Sequence, residues 1–529
     1  MSVIGINFGT SSTSIGYINK EGRADCLANE EGDRQIASVL AFHGVEEVVG
    51  SQAKSDIARH PKTTVANFRA NIGKKFADSE NLPGSAAPIV DKDGQPGYEI
   101  TFDEKNEVLS THTITSKFLS HIKESAEAFL GNKISGAVLA VPAYYTEEQR
   151  EELKTSAKDA GIQVLQLIHE SAAASLAYGL NDREDKTIVV CDLGGHSFDV
   201  TVLTVRGGIF SVVATAHDTK LGGVSFDDLL IQHFSAEFKK KTKVDIANNA
   251  KALAKLRGAV EVTKKMLSSS NSAPCFVESI AEGLDFHGTI NRMRFEIMSN
   301  KVFAKIQDVV RQVLVKADLD SSEIDQVVLA GGAARIPKFA VKLREVFTEN
   351  THILNELEAD EVVARGCAIQ GSLIAGFEAE DIDASVHPVV TLAPSTQKAI
   401  GVTNAKGDFV PIIPKGTALP ARRSFNFTAS QDVSDFVYVA LHEGDHIIEK
   451  KEIPVEPLPV EEGEEPVEEE PEIVTTVYTK PAALLVEAIL PAKKDSKVEV
   501  QVTVDTDLKV ILVLRDGSNV VKAETSGKQ

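Results

Sequence analysis

Two short segments, far apart in the chain, repeat one pattern. Ile4-Gly5-Ile6-Asn7-Phe8-Gly9-Thr10-Ser11-Ser12 opens the protein, and Cys191-Asp192-Leu193-Gly194-Gly195-His196-Ser197-Phe198-Asp199 restates it after the first third. Each follows an apolar run (Val3 to Ile6; Ile188 to Cys191) and precedes another (Ile15 to Ile18; Val200 to Leu203). Strand, glycine turn, strand describes a hairpin whose tip offers backbone N–H groups and hydroxyls to an anion. Two copies imply two related lobes with a nucleotide between them. The pattern is not a P-loop. GxxxxGK[ST] occurs nowhere in the chain, and here the turn leads into a strand rather than a helix. A third piece, Val327-Val328-Leu329-Ala330-Gly331-Gly332-Ala333-Ala334-Arg335, reads as a buried strand ending in a Gly-Gly turn. Such a turn lets backbone approach a flat ring or a phosphate. One such turn is ordinary loop chemistry; three in this order are not.

A chain of 529 residues is too long for one domain. Its four cysteines (26, 191, 275, 367) are scattered without a CxxC, and Cys191 sits in an apolar strand. This is the usage of a reduced, cytosolic protein with core thiols rather than a disulfide or zinc framework. No charged-then-apolar leader opens the chain and no apolar run is long enough to span a membrane. The net charge of −21 argues against direct binding of DNA or RNA. The one basic cluster, Lys239 to Lys243, reads as a solvated helix end.

Residues 1–377 alternate apolar strand-like runs with amphipathic stretches, an α/β pattern. Ser116–Phe129 and Thr146–Ala160 have helical spacing, and Thr146 with Gln149 has the form of a capping box. Residues 378–387 are acidic and turn-rich, a linker. Residues 388–529 change to short alternating strands (424–428, 436–441, 483–490, 498–504, 510–514), a β-sandwich pattern. Residues 454–474 hold Glu and scattered Pro with no Lys or Arg, so they are expected to form a disordered acidic loop.

These segments, with Gly50 to Lys54, Val141 to Tyr145, Glu170 to Ala174, Leu221 to Asp227, Lys255 to Ser270 and Asp360 to Ala364, resemble the seventy-kilodalton heat-shock chaperones of the actin and sugar-kinase superfamily. The resemblance is specific over residues 1 to about 375 and looser beyond. It implies a two-lobed actin-like ATP-binding domain followed by a small, truncated β-sandwich, here without the family's helical lid. It implies phosphate contacts from Gly9, Thr10, Ser11, Ser12, Gly194, Gly195, His196, Ser197, Gly222 and Gly223. It implies adenosine contacts from Glu261, Lys264, Lys265, Ser268, Gly331, Gly332, Ala333, Arg335 and Asp360. Magnesium would be reached through water by Asn7, Asp192 and Asp199, and Lys54, Glu170 and Asp192 would orient the attacking water.

The chain also departs from the family pattern. Asn7 stands where the family has Asp, removing a charge that faces the metal. His196 replaces the third glycine of the second hairpin, Ser197 a Thr, and Lys265 an Arg that stacks on adenine. The linker carries Asp381-Ile382-Asp383 in place of a leucine run, and buried unpaired carboxylates are costly, so docking of the linker is not expected. These departures resemble an atypical fungal branch of the family. That branch forms a stable heterodimer with a J-protein of the zuotin type in the ribosome-associated complex. It acts near nascent polypeptides by stimulating a second ribosome-bound chaperone of the same family. The expectation is ATP held as a structural ligand with absent or very slow hydrolysis. The alternatives are a cycling ATPase chaperone that binds unfolded clients directly, and a sugar kinase with the same lobes. The second leaves the β-sandwich without a role.

Overall fold

The computed structural model describes residues 2–44, 46–102, 105–180, 184–378, 380–382, 394–404, 406–429, 436–453, 472–493, 495–517 and 519–525. The chain divides into two compact units, Met1–Val386 and His387–Gln529.

The first unit is built twice on one plan. In its first half, strands Ser2–Phe8 and Ser12–Ile18 form an antiparallel hairpin that Ala24–Cys26 extends. Ile134–Val141 joins Ser2–Phe8 in parallel, and Val164–His169 joins Ile134–Val141 in parallel. The second half repeats this. Lys186–Leu193, Phe198–Arg206 and Ile209–Asp218 form the antiparallel meander; Gln326–Ala330 and His352–Leu354 add in parallel. Parallel addition needs a crossover. Helices Thr111–Leu130 and Glu147–Asp159 supply it in the first half, and Asn300–Ala317 and Pro337–Arg344 in the second. Helices over the sheet explain why Ile188, Val189, Val190 and Cys191 are all buried: neither face of that strand meets water.

The helix expected over 116–129 is Thr111–Leu130, with the Ser110 hydroxyl accepting from the Thr113 N–H. Ile114, Phe118, Ile122 and Ala126 form its buried stripe at four-residue spacing. The helix expected over 146–160 is Glu147–Asp159, and the Thr146/Gln149 capping box is present. Lys239 and Lys241 end helix Gly223–Thr242, paired with Asp245 and Glu237 at 2.6 Å each. All four cysteines are free and buried.

Helix Val362–Ile374 crosses helix Glu170–Ala177 with backbone nearly touching. A Cβ on Gly366 would lie 1.7 Å from the Ala173 carbonyl oxygen. The buried cluster around this crossing draws Val138 and Ala140 from the first sheet and Ile188, Val190 and Val328 from the second. It is the floor on which both halves stand. Ile382 also enters this cluster, 7% exposed, while Asp381 beside it stays in water. The expectation that the charged linker stays off the first unit therefore fails at Ile382. A turn in which the Glu378 carbonyl accepts from the Ile382 N–H at 3.1 Å lets the apolar residue bury without its acidic neighbour. Linker residues 379 and 383–387 lie outside the described residues.

The second unit has two four-stranded antiparallel sheets around one core. One contains Ala399–Thr403, Phe409–Ile413, Phe436–Ile453 and Glu472–Pro491. The other contains Ala421–Thr428, Lys497–Val504, Val510–Asp516 and Asn519–Glu524. Alternate residues point inward: Val437, Val439 and Leu441; Val498, Val500, Val502 and Val504; Val510, Leu512 and Leu514. Phe436 and Tyr438 therefore lie on the opposite, exposed face from Leu441. Of the acidic loop, residues 454–471 lie outside the described residues. Glu472 to Val474 do not belong to a loop: they open the strand Glu472–Pro491, laddered to Ile453, Glu452 and Lys451. A facing strand supplies backbone partners that side-chain charge does not reveal.

Candidate functional site

The two hairpin tips meet. A Cβ on Gly195 would sit 2.0 Å from Ser11 Oγ, so only a glycine admits the first hairpin here. The ring of His196 lies beside it, with Nδ1 3.0 Å from Ser11 Oγ. Behind the second tip, the Gly194 and Gly195 carbonyls accept from the Gly223 and Val224 N–H groups at 2.9 Å. That seats the Gly222–Gly223 turn and the start of helix Gly223–Thr242 on the hairpin. Lys264 holds the turn from below: its Nζ donates to the Gly223 carbonyl at 3.0 Å and to Asp227 at 2.9 Å. Its side chain is buried and braces this corner. Gly331 closes the same corner in a left-handed conformation (φ 86°), its Cβ position 2.4 Å from Asp192 Oδ1.

The first hairpin is braced in turn. Ser38 Oγ donates to the Gly9 carbonyl at 2.8 Å, and Ser12 Oγ lies 3.4 Å from Gln35 Oε1. Gln35 also donates to the Asp360 carbonyl at 2.8 Å. Thr10 is half-buried at the tip. On the opposite wall, Arg335 pairs with Asp360 at 2.7 Å and with Glu358. Ala333 is buried there, and a Cβ on Gly332 would meet only the Asp360 Cβ at 3.9 Å.

Helix Ala250–Ser269 carries Glu261, Lys264, Lys265 and half-buried Ser268. Glu261 binds Lys54 at 2.7 Å and Lys265 at 3.0 Å. Burial alone would raise the Glu261 carboxyl, but Lys54 and then Lys265 hold it at about 2. The Lys54 pair crosses the cleft from the first half to the second. Lys54 thus does not join Glu170 and Asp192, with which the sequence grouped it.

The cation beside Glu170 is Arg69, at 2.6 Å, with both side chains nearly buried. Sequence reasoning missed it. Arg69 sits in Asn67-Phe68-Arg69-Ala70-Asn71, which has no glycine turn and no apolar period. Only the fold brings it to a carboxylate 101 residues away. Asp192 and Asp199 face each other in the ladder, with His217 opposite Asp199 on the next strand. Facing residues share a side of the sheet. Burial, then Glu170, pushes Asp199 up to about 7. Asp192 is raised by burial, then by Glu170 and Asp199. Ser197 Oγ donates to Asp199 Oδ2 at 2.8 Å, while Asp199 Oδ1 is buried and unpartnered. Tyr144 stacks on His217 (ring centroids 4.4 Å apart) and with Glu170, Asp192 and Asp199 lines a cavity of about 20 Å³, room for one water.

This arrangement fits a nucleoside triphosphate with a divalent cation. The glycine tips bring backbone together more closely than a Cβ on Gly9, Gly195 or Gly222 would allow. The raised Asp192 and Asp199 with the orphaned Oδ1 are oxygen ligands short of positive charge. Asn7, half-buried on the first hairpin, offers a neutral amide instead of a third charge. Among the described residues no group of three or more His, Cys, Asp or Glu is placed to hold a metal directly.

A duplicated α/β unit with its cleft between matched hairpins, followed by a two-sheet β unit, defines a class: actin-like folds carrying an appended β domain. The Hsp70 protein family model matches residues 3–455, and the chain belongs to the Hsp70 family. It is 38% identical over 541 residues to the ribosome-associated complex subunit SSZ1 of Saccharomyces cerevisiae, covering 99% of each chain. It is 37% identical to a heat shock protein 70 homologue of Schizosaccharomyces pombe, covering 96% of this chain and 92% of that one. A heat shock 70 kDa protein of Emericella nidulans is 35% identical over 447 residues, covering 84% of this chain and 68% of that one.

Proposed function

We propose that this chain is an ATP-binding chaperone subunit of a ribosome-associated heterodimer. It pairs with a J-protein of the zuotin type and assists nascent chains by stimulating a second, ribosome-bound chaperone. The observation that carries this reading is the end-to-end similarity to a subunit named for the ribosome-associated complex. ATP serves as a ligand that sets the relation of the two halves, with little or no turnover. Backbone N–H groups at Thr10, Ser11 and Gly195 would take the phosphates, while the Gly194 N–H closes the hairpin turn on the Ser197 carbonyl at 2.9 Å. Glu261, Lys265, Ser268, Gly332, Ala333 and Arg335 would flank the nucleoside. Asp192, Asp199 and Asn7 would reach a magnesium ion through water; the ion's part would be to neutralise phosphate charge.

Three features support slow hydrolysis. Glu170, the carboxylate placed to act as general base, is tied to Arg69 at 2.6 Å, so one of its oxygens is held on a guanidinium rather than on a water. Asn7 weakens metal affinity. His196 occupies the Ser11 hydroxyl. Single-turnover hydrolysis on the purified chain, with bound nucleotide identified by chromatography, tests the reading. Intact ATP after hours supports it, and ADP within minutes refutes it. The second reading, a cycling ATPase that holds clients itself, draws on the convergence of Glu170, Asp192 and Asp199 around one cavity. It requires turnover that rises with added peptide.

A further inference from the structure

His196 reaches from the second hairpin to two partners in the other half. Its ring is 8% exposed. On one side, Nδ1 is 3.0 Å from Ser11 Oγ, on the first hairpin. On the other, Nε2 is 3.1 Å from the Pro83 carbonyl oxygen, in a loop of the first half. A carbonyl oxygen only accepts, so Nε2 carries the hydrogen. Neutral imidazole then has a lone pair on Nδ1, and the Ser11 hydroxyl donates to it. Burial lowers the His196 pKa and keeps the ring in this neutral form.

The Pro83 loop is not a loose end. Its carbonyl also accepts from Asn67 Nδ2 at 3.2 Å. Asn71 Nδ2 donates to the Glu80 carbonyl at 3.0 Å, and the Glu80 N–H donates back to Asn71 at 2.7 Å. Asn67 and Asn71 flank the turn that carries Arg69. One ring therefore joins the second hairpin to the first hairpin and, through Pro83, to the segment that presents Arg69 to Glu170.

We propose that His196 is a positioning residue that latches the phosphate end of the cleft shut, so that the protein itself, rather than the nucleotide, holds the two halves together there. Two consequences follow from the chemistry. The only hydrogen of the Ser11 hydroxyl is directed at His196, so Ser11 meets a phosphate with its backbone N–H alone. Release of a bound nucleotide must also break two hydrogen bonds to a buried ring.

The test uses the full-length chain with His196→Gly, His196→Gln and Ser11→Ala. The first arm follows dissociation of a fluorescent ATP analogue in stopped flow. The second follows amide exchange of residues 9–12 and 82–85 in nucleotide-free protein. His196→Gly should release the analogue about tenfold faster, the worth of one to two net hydrogen bonds. It should also raise exchange in both segments. His196→Gln, which keeps a donor and an acceptor, should recover part of each effect. Adding Ser11→Ala to His196→Gly should give less than the product of the single effects, because they remove one shared bond. Equal exchange in wild type and His196→Gly, or release within twofold, would overturn the latch. The release arm rests on the nucleotide-binding reading and the exchange arm does not. A wild-type chain that binds no analogue would refute that reading while leaving the latch to the exchange data. Circular dichroism of each variant separates loss of the latch from loss of the fold.

Discussion

Replacing Arg69 with Leu should expose the charge balance on which the cleft rests. The guanidinium lies 2.6 Å from Glu170, with side chains 11% and 12% exposed. Without it, Glu170 is left beside Asp192 and Asp199, two carboxyls already raised by burial and by Glu170. Breaking a buried pair by removing one partner costs about 3–5 kcal/mol. Unfolding entropy of about 2.1 cal/mol/K per residue gives about 0.8 kcal/mol/K for the unit Met1–Val386. Arg69→Leu should therefore lower the Tm of that unit by about 4–6 °C. The assay is calorimetry of nucleotide-free protein in chelator, across pH. The sign is fixed by linkage. Arg69 lowers Asp199, which in its presence titrates near 7 rather than 3.8, so its removal raises the folded pKa further. A raised folded carboxyl contributes stability that is complete below the unfolded pKa and lost as pH rises through the folded one. The Arg69→Leu deficit should thus be largest at about pH 8 and shrink toward about pH 5. Arg69→Lys keeps the charge and should recover most of the loss. A Tm within 1 °C of wild type at every pH, or a deficit that grows in acid, would refute the argument.

Gly366→Ala puts a methyl where the Ala173 carbonyl stands, 1.7 Å away. The two helices must part, so denaturant unfolding should show a loss of about 3 kcal/mol or more. Lys54→Ala removes the cross-cleft partner of Glu261. Because the Lys54 side chain is 37% exposed, screening limits the pair to about 1 kcal/mol or less. That stability is present above the unfolded Glu261 pKa of 4.5 and lost as pH falls through about 2; wild type and variant should converge at the acid end of a denaturation series. Asn7→Asp restores a negative charge to the cleft and should make ATP affinity, measured by calorimetry, depend more steeply on magnesium. Leu512→Ala empties a fully buried site of the β unit and should destabilise it by about 2–5 kcal/mol.

Much of the first unit was legible because its signals are local. A glycine turn between apolar runs specifies a hairpin from its own dihedral and burial needs, and two copies announce the duplicated halves. The alternation of Val498, Val500, Val502 and Val504 announces a half-buried strand in the same way. Thr146 and Gln149 mark a helix start by hydrogen bonds that span three residues. Other assignments depended on partners that no local window contains. Lys54 lies in a segment the resemblance covers, and Arg69 lies in a stretch with no glycine turn and no apolar period. Which of them stands beside Glu170 is decided by where the turn Phe68–Asn71 is carried by the sheet. Lys264 reads as a ligand on a helix face, and the fold also gives it Asp227 and the Gly223 carbonyl as partners. Ile382 reads as part of a charged tether and is buried. His196 reads as a phosphate contact that replaces a glycine of the second hairpin, while the fold hands it two partners in the other half. The residues of this chain determined by themselves the duplicated hairpins, the strand periods and the helix caps, because backbone geometry and burial act over a few positions. Tertiary structure alone decided which charges pair across the cleft, because such a pair is set by distance in space, and chain separation says nothing of that.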